Sequence, residues 1–348
     1  MSPTSEDAAV APASRATLSE VAALANVSVA TVSKVLNGRT GVSDETRSRV
    51  ESLLGERNYN RRASASSTAP LIEVLCFEID SPFGGAAIAG IERVASEHGI
   101  GLVVSAAQDS HLPGPGWADA VLRRQPRGII LVAALLPDDD RARLRSRSIP
   151  VVAIDPYGAP ATDTPSIGSA DWNGGFHATQ HLIGLGHRRI AIITGPDSML
   201  ASTARLSGYR AALDAAGIPV SPDHVRYGEF HRQDGFVEGR ALLSGDDPPT
   251  AIFASSDIQA LGVYEAARVL GLRIPEDVSI VGYDDLSIAQ WAGPPLTTVR
   301  VPLAEMAEQA FQLVTRLHDE PELAFTRVDL ATSLVVREST APPRPRGD

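Results

Sequence analysis

The sequence predicts an α/β protein in two parts: a small N-terminal module of three helices, then a body of two doubly wound α/β subdomains. Three observations carry this. From residue 70 onward, fully apolar strand-like runs alternate with amphipathic stretches, the pattern of βαβ units around buried parallel sheets. These runs are too many for one compact sheet, and a chain of 348 residues has room for two. The charge is also divided. The net charge is −11, yet residues 15–62 carry eight basic and five acidic side chains, so that segment is +3 and the remainder −14. A basic module on an acidic body points to a nucleic-acid-binding head.

The first fourteen residues are Ser, Pro, Ala and acids and are expected to form a disordered tail. Residues 17–20, TLSE, form a Thr-x-x-Glu capping box, starting a helix expected to bury Leu18, Val21, Ala22, Leu24 and Ala25. After a turn at Asn26-Val27, Ser28 can cap a second helix over 29–37, with Val32, Val35 and Leu36 on one face and Asn37-Gly38 as its stop. Ser43-Asp44-Glu45 opens a third, with Val50, Leu53 and Leu54 inward. The first two helices and their turn make a helix-turn-helix whose second helix would enter the major groove of double-stranded DNA. Val29, Ala30 and Lys34 then point outward. Lys34 is the chain's only lysine among 31 basic residues, and it is placed to donate to guanine O6 and N7, while small apolar neighbours meet thymine methyls.

In the body, strands are expected near 71–79, 101–107, 128–134, 151–155, 190–195, 251–256 and 278–283, with helices near 85–98, 138–147, 172–185, 202–216, 232–244 and 257–271. Ligands of such folds sit outside the carboxyl ends of the strands, and a cleft between two sheets is a natural small-molecule site. Asp80, Ser81 and Phe83 follow the first strand, Asp155 the fourth, Phe230 a short strand near 225–229, and Asp284 the VSIVGY run. Ser256 ends AIFASS and Asp257 follows it, Arg205 opens RLSG, and Trp172 stands where one helix begins. Asp257 and Asp171 also suit plain helix caps. Carboxylates and a forked guanidinium grip vicinal hydroxyls, and an aromatic face stacks on a sugar's C–H surface, so this set suits a saccharide.

Other classes are disfavoured. The single cysteine, Cys76, leaves no intramolecular disulfide and fits a reducing, cytoplasmic setting. No signal peptide is visible, and the longest apolar run, GIILVAALL, is too short to span a bilayer. No H-E-x-x-H or G-x-S-x-G occurs, and the glycines at 84–85 and 174–175 fit no phosphate-loop pattern. No catalytic residue, metal or cofactor is therefore expected. His187 reads as structural, and a glycosidase built on Asp155 and Asp284 would leave the head unexplained. The competing reading is a sugar-binding protein without a regulatory role.

TLSEVAALANVSVATVSKVLNG, followed by GVSDETRSRVESLLGERNY, resembles the headpiece of the lactose-repressor (LacI/GalR) family of bacterial transcription regulators. The resemblance runs to about residue 339 through LGHRRIAIITGP, RLSGYRAAL, IPEDVSIVGYDD and PPLTTVRVP. It implies a periplasmic-binding-protein-like body, with one subdomain of 71–169 plus 300–325 and another of 170–297 plus 326–340. It implies a head over 15–60, a hinge over 61–70 and a short tail at 341–348. Asp155, Arg205, Phe230 and Asp284 match the positions that line the effector pocket in related repressors. Thr17, Ser28, Val29, Ala30, Thr31, Ser33, Lys34 and Asn37 are the expected DNA contacts. The function implied is repression of carbohydrate-utilisation genes by a homodimer on operator DNA, responding to a mono- or oligosaccharide.

Some features depart from the family. Ser169-Ala170 stands where many relatives have Asp-Asn, and Ser256 where they have Asn. The hinge YNRRASASST has Arg61 for a proline and Thr68 for the minor-groove leucine, so Arg61 and Arg62 are expected to give a softer, more electrostatic hinge that meets phosphates or a narrow minor groove. The end APPRPRGD lacks the leucine heptads by which some relatives tetramerise, so a dimer is expected, with Ile88, Ile91 and Val94 contributing apolar interface.

Overall fold

The computed structural model describes residues 18–36, 42–56, 70–108, 111–158, 164–317 and 319–344. Thr17, Asn37, Arg61 and Arg62, with the expected N-terminal tail and most of the expected hinge, lie outside the described residues. The chain divides into two compact units, residues 1–68 and 69–348.

In the first unit, α1 (Leu18–Leu24), α2 (Val29–Leu36) and α3 (Asp44–Glu56) pack around Val21, Ala22, Ala25, Val32, Val35 and Val50. Ser28 Oγ accepts the Thr31 backbone N–H at 3.1 Å, which caps α2 as its sequence implies. Asn26 takes φ 52°, the left-handed turn that frees the chain from α1. Leu24, expected in the core, is 51% exposed. It sits on the flank of the stripe formed by Leu18, Val21, Ala22 and Ala25, too far round the helix to reach α2 or α3.

The second unit holds two six-stranded sheets. The first sheet runs in the order β11-β5-β4-β3-β1-β2, all parallel, from β1 (Leu71–Cys76), β2 (Gly101–Ala106), β3 (Gly128–Val132), β4 (Val151–Ile154), β5 (Ser166–Ser169) and β11 (Arg327–Leu330). The second runs β12-β10-β9-β8-β6-β7, from β6 (Ile190–Thr194), β7 (Val225–Tyr227), β8 (Ala251–Ala254), β9 (Ser279–Asp284), β10 (Thr297–Arg300) and β12 (Ser333–Val335). Among the described strand pairs of the two sheets, only β10–β12 is antiparallel. The central strands are wholly buried, which is why they read as unbroken apolar runs.

The chain crosses between the sheets three times, and this corrects the expected division. β11, assigned to the second subdomain, pairs with β5 in the first sheet, and only β12 returns to the second. Three helices were not expected: α5 (Trp117–Arg124), α11 (Ser287–Trp291) and α12 (Leu303–Arg316). α12 buries Leu303, Met306, Ala307, Ala310, Phe311 and Val314 against the first sheet and α4 (Pro82–Glu97), and Pro302 marks its start. On α4, Ile91 and Val94 are buried in the chain's own core and Ile88 packs on its edge, so the expected interface contribution of Ile91 and Val94 is withdrawn. The C-terminal stretch is not a free tail as far as Arg344. The Ala341 carbonyl accepts from His187 Nε2 at 2.9 Å, the Ala341 N–H donates to Ser279 Oγ, and Arg344 pairs with Asp277 at 2.6 Å. His187 is thus structural, as read.

The second sheet is flanked by two tightly crossed helix pairs. α7 (Asp171–Gly184) lies on α8 (Leu200–Ala215), and α9 (Arg232–Leu243) on α10 (Asp257–Val269). In each pair both helices bring a glycine onto the partner's backbone. A Cβ on Gly175 would stand 2.2 Å from the Arg205 carbonyl, on Gly208 2.1 Å from that of Trp172, on Gly235 2.0 Å from that of Gln259, and on Gly262 2.1 Å from that of Arg232. Because backbone cannot yield locally, Gly262→Ala should lower unfolding free energy by about 1–3 kcal/mol. Gly85→Ala, on an exposed stretch of α4 with open space around it, should raise it by about 0.5–1 kcal/mol. Denaturant unfolding of both variants beside the parent checks the contrast.

Candidate functional site

The carboxyl ends of both sheets face one cleft, which encloses a cavity of about 350 Å³. Its wall from the first sheet comes from the turn after β1, where Ser81 caps α4 by accepting the Gly84 N–H at 3.0 Å, and from Ala133 and Asp155 after β3 and β4. The opposite wall comes from Met199 and Arg205, from Glu229, Phe230 and His231 after β7, from Ser256 after β8, and from Asp284 at the end of β9.

Five non-glycine residues lining this cavity have left-handed backbone: His111 (φ 62°), Ala133 (47°), Asp155 (46°), Phe230 (64°) and Asp284 (106°). Ala133, Asp155 and Asp284 do so at or directly after a strand end, and His111 and Phe230 in the loops that follow β2 and β7. Such conformations cost about 1–3 kcal/mol each and cluster where the surroundings enforce them for a purpose.

Arg205 organises the floor. Its Nε donates to Asp171 Oδ1 at 2.7 Å and its Nη1 to the Ser255 carbonyl at 2.6 Å, while Asp284 Oδ1 lies 4.0 Å from Nη1. Its guanidinium carbon lies 3.8 Å from the Tyr283 ring centroid and 5.6 Å from that of Phe230. The side chain is 4% exposed. Burial opposes the guanidinium's charge, but Asp171 and the other surrounding acidic groups outweigh that and hold it protonated. Asp284 is pushed well above the ordinary carboxylate range, by burial first, with Arg205 opposing and neighbouring acids adding. Burial, then Asp171, raises Asp155 to about 7. Protonated Asp155 is the form the fold prefers, so its contribution to stability is present below the ordinary carboxylate range and is lost as pH rises through about 7.

Eight of the ten expected effector residues line the cavity: Asp80, Ser81, Phe83, Asp155, Arg205, Phe230, Ser256 and Asp284. Two do not. Trp172 is 44% exposed on α7, stacked on Phe176 one helical turn away with centroids 5.3 Å apart. Asp257 is buried and turned into the second subdomain, where Oδ2 accepts the Leu286 N–H at 2.8 Å and Oδ1 the Thr298 hydroxyl at 2.6 Å. The cap of α10 is Ser256, whose Oγ accepts the Gln259 N–H at 3.1 Å. Asp171 is not a cap either, since its carboxylate belongs to Arg205.

Sequence reasoning missed several lining residues. His111 is held between Phe77 and Tyr157, with centroids 3.5 and 3.7 Å away, and its Nδ1 lies 2.7 Å from the Ala133 carbonyl. Burial lowers its pKa, against that bond and Glu78. Its one signal is a position in the loop after an expected strand. Glu78 and His231 meet across the cleft at 2.8 Å, and Tyr157 and Ser198 meet likewise at 2.7 Å, so both rims are bridged. Cys76, expected to be an inert core thiol, is buried, reaches the cavity lining, and is raised by burial to about 11. Among the described residues no group of three or more His, Cys, Asp or Glu could hold a metal ion, and no single helix is long and apolar enough to cross a membrane.

The two units match two family descriptions. Residues 17–62 match "Bacterial regulatory proteins, lacI family", and residues 179–340 a "Periplasmic binding protein-like domain". The HTH-type transcriptional regulator DegA of Bacillus subtilis (strain 168) is 31% identical over 335 residues, spanning 94% of this chain and 99% of the relative. Among solved structures, the transcriptional regulator CelR–cellobiose complex is 34% identical, with a TM-score of 0.70 over 93% of this chain and 100% of that one. The lac repressor dimer bound to operator and the anti-inducer ONPF is 29% identical, with a TM-score of 0.67 over 94% and 100%. These relatives are regulators, not enzymes. A three-helix head with a capped recognition helix, two doubly wound sheets around a ligand-sized cleft, and likeness along nearly the whole length agree, and the chain belongs to the lacI family of bacterial regulatory proteins.

Proposed function

We propose that this DNA-binding regulator is a homodimeric, cytoplasmic repressor of carbohydrate-utilisation genes, released from or recruited to its operator by a sugar bound in the cleft. The observation that carries the sugar reading is the convergence of Asp155, Arg205, Phe230 and Asp284 on one cavity. Carboxylates and a guanidinium take hydroxyls in pairs, while the Phe230 ring offers an apolar face. That the CelR structure is a cellobiose complex and the lac repressor structure a dimer on operator supports the reading. In the head, Ser28, Val29, Ala30 and Lys34 are exposed and Thr31 and Ser33 partly so, as base and phosphate contacts require.

The cleft couples ligand to DNA if the sugar favours one relative orientation of the two subdomains. Glu78–His231 and Tyr157–Ser198 can hold only when the walls are together. A ligand touching both walls adds to these bridges, and its differential affinity for the closed form sets the size of the response.

The reading is tested by operator selection with the full-length protein, then gel shifts of the selected site with D-ribose, cellobiose and other neutral sugars. Failure to select any sequence would overturn the regulator, and a shift unmoved by every sugar would overturn the sugar response. Within that frame, Asp284→Asn should weaken effector binding about ten- to hundredfold by calorimetry while operator affinity stays near the parent's. Arg205→Ala should also lower stability by about 3–5 kcal/mol, because it strands buried Asp171. A hydroxyl donates more strongly to a carboxylate than to a neutral carboxyl, so effector affinity should fall as pH drops from 8 to 6 through the Asp155 transition near 7. In the head, Lys34→Arg should change the ranking of operator variants rather than weaken all equally, because a planar fork cannot copy an ammonium's approach. A uniform effect in a binding-site selection would show that Lys34 only meets phosphate.

A further inference from the structure

The first sheet is all parallel, so its strands start at one end, opposite the cleft. The chain that carries the head enters the body at this amino end. Residues 57–70 lead straight into β1, and they contain Arg57, Arg61 and Arg62 and no acid.

The body around that entry point is cationic as well. Arg127, the residue before β3, donates its backbone N–H to the carbonyl of Leu71, the first residue of β1, at 2.8 Å. The loop that holds it is fixed on its other side too. Gln125 ends α5 with a left-handed φ of 52°, its N–H donates to the Val121 carbonyl, and Pro126 is buried. Arg123 stands on the last turn of α5. The side chains of Arg123 and Arg127 are exposed, and neither has a hydrogen-bond or ion-pair partner. Arg124 differs, since its guanidinium binds buried Glu73 at 2.8 and 3.1 Å. Arg145 and Arg147 bring more positive charge to the connection into β4, the strand beside β3.

Acids are few at this end. Among the described residues, the connections into β1, β3 and β4 hold none. Glu97, before β2, pairs with Arg93, and Glu320 pairs with Arg316. Asp319 and Glu322 belong to the connection into β11, a strand four places from β1 and so about 19 Å across the sheet. At the carboxyl end of the lobe the sign reverses, with Glu78, Asp80, Asp138 and Asp139 following β1 and β3.

A helix C-terminus favours nearby cations, which accounts in part for Arg123. It does not account for Arg127, which lies beyond the helix and is held at the mouth of β1 with its guanidinium unengaged. The body's charge of −14 outside residues 15–62 does not oppose a local anion either. At physiological salt a charge is screened over about 8 Å, so a phosphate near these arginines does not feel the acids at the cleft end.

We propose that Arg123 and Arg127 form a second DNA-contacting surface, on the body, that binds backbone phosphates of the duplex held by the head. The proposal rests on the DNA-binding role of the head and adds a contact outside it. Arginine forks match phosphate oxygens, and a phosphodiester contact adds affinity without sequence preference.

The test measures the affinity of the full-length protein by fluorescence anisotropy, on the selected operator and on a scrambled duplex of the same length, from about 50 to 200 mM KCl. Loss of two phosphate contacts flattens the slope of log affinity against log salt by about two. Arg123→Gln combined with Arg127→Gln should show that flattening and bind both duplexes more weakly, whereas Arg123→Lys combined with Arg127→Lys should keep the parent's slope. Arg188→Gln removes another exposed, unpartnered arginine, two residues before β6 at the amino end of the second sheet, and should leave the slope unchanged. Thermal midpoints should match the parent's throughout, since none of these side chains is bonded within the fold. A parental slope in the double glutamine variant would overturn the proposal, whether binding is weakened or not. So would a loss confined to the operator, or an equal loss in Arg188→Gln. If no operator is selected, the regulator reading fails by itself, and the scrambled duplex still decides whether the body contacts phosphate.

Discussion

The buried contact between Arg205 and Asp171 is the constraint on which the cleft depends. It joins the first residue of α7 to the first half of α8, and through the Ser255 carbonyl it reaches the end of β8. The guanidinium also lies on the Tyr283 ring, one residue before Asp284. One charged group therefore sets the positions of two helix starts and two strand ends. The glycines allow it. A Cβ on Gly175 would strike the Arg205 backbone, and one on Gly174 would come within 2.1 Å of Tyr283 Oη. Without such close approach the arginine could not reach Asp171, and the floor would not hold a buried charge at all.

The functional surface is thus built from strained strand ends on a rigid floor. Asp155, Phe230 and Asp284 all leave their strands in left-handed conformations that side chains normally avoid. The neighbouring sheets bear that strain, and the result is a set of side chains already aimed before any ligand arrives. Preorganisation of this kind limits the ordering cost of binding a ligand in the cleft.

Much of this was legible in the sequence because it is local. Apolar runs mark fully buried strands, a serine before an apolar period marks a cap, and an acid at a strand end marks a position on the cleft. The failures are long-range. Asp257 looked like a ligand or a cap because its partners, Leu286 and Thr298, lie 29 and 41 residues away. Asp171 looked like a cap for the same reason, its partner Arg205 being 34 residues on. His111 gave no periodic signal, since its role comes from Phe77, Ala133 and Tyr157 closing around it. β11 was misplaced because a short strand carries no information about which of two sheets it will join. α12 was the avoidable omission, since Pro302 and the apolar spacing from Leu303 to Val314 announce it.

The three crossings between sheets have a consequence for how the molecule is made. The first sheet receives its edge strand β11 only at residues 327–330, and the apolar face of α12 only at 303–316. At about 5–20 residues per second, synthesis of the intervening chain after β5 takes on the order of ten seconds. Throughout that interval the nascent first lobe has an open sheet edge beside β5 and an apolar surface awaiting α12, while the second sheet is still being extruded. Late closure of both lobes means that a chain ending before residue 303 leaves neither lobe complete, with an open strand edge beside β5.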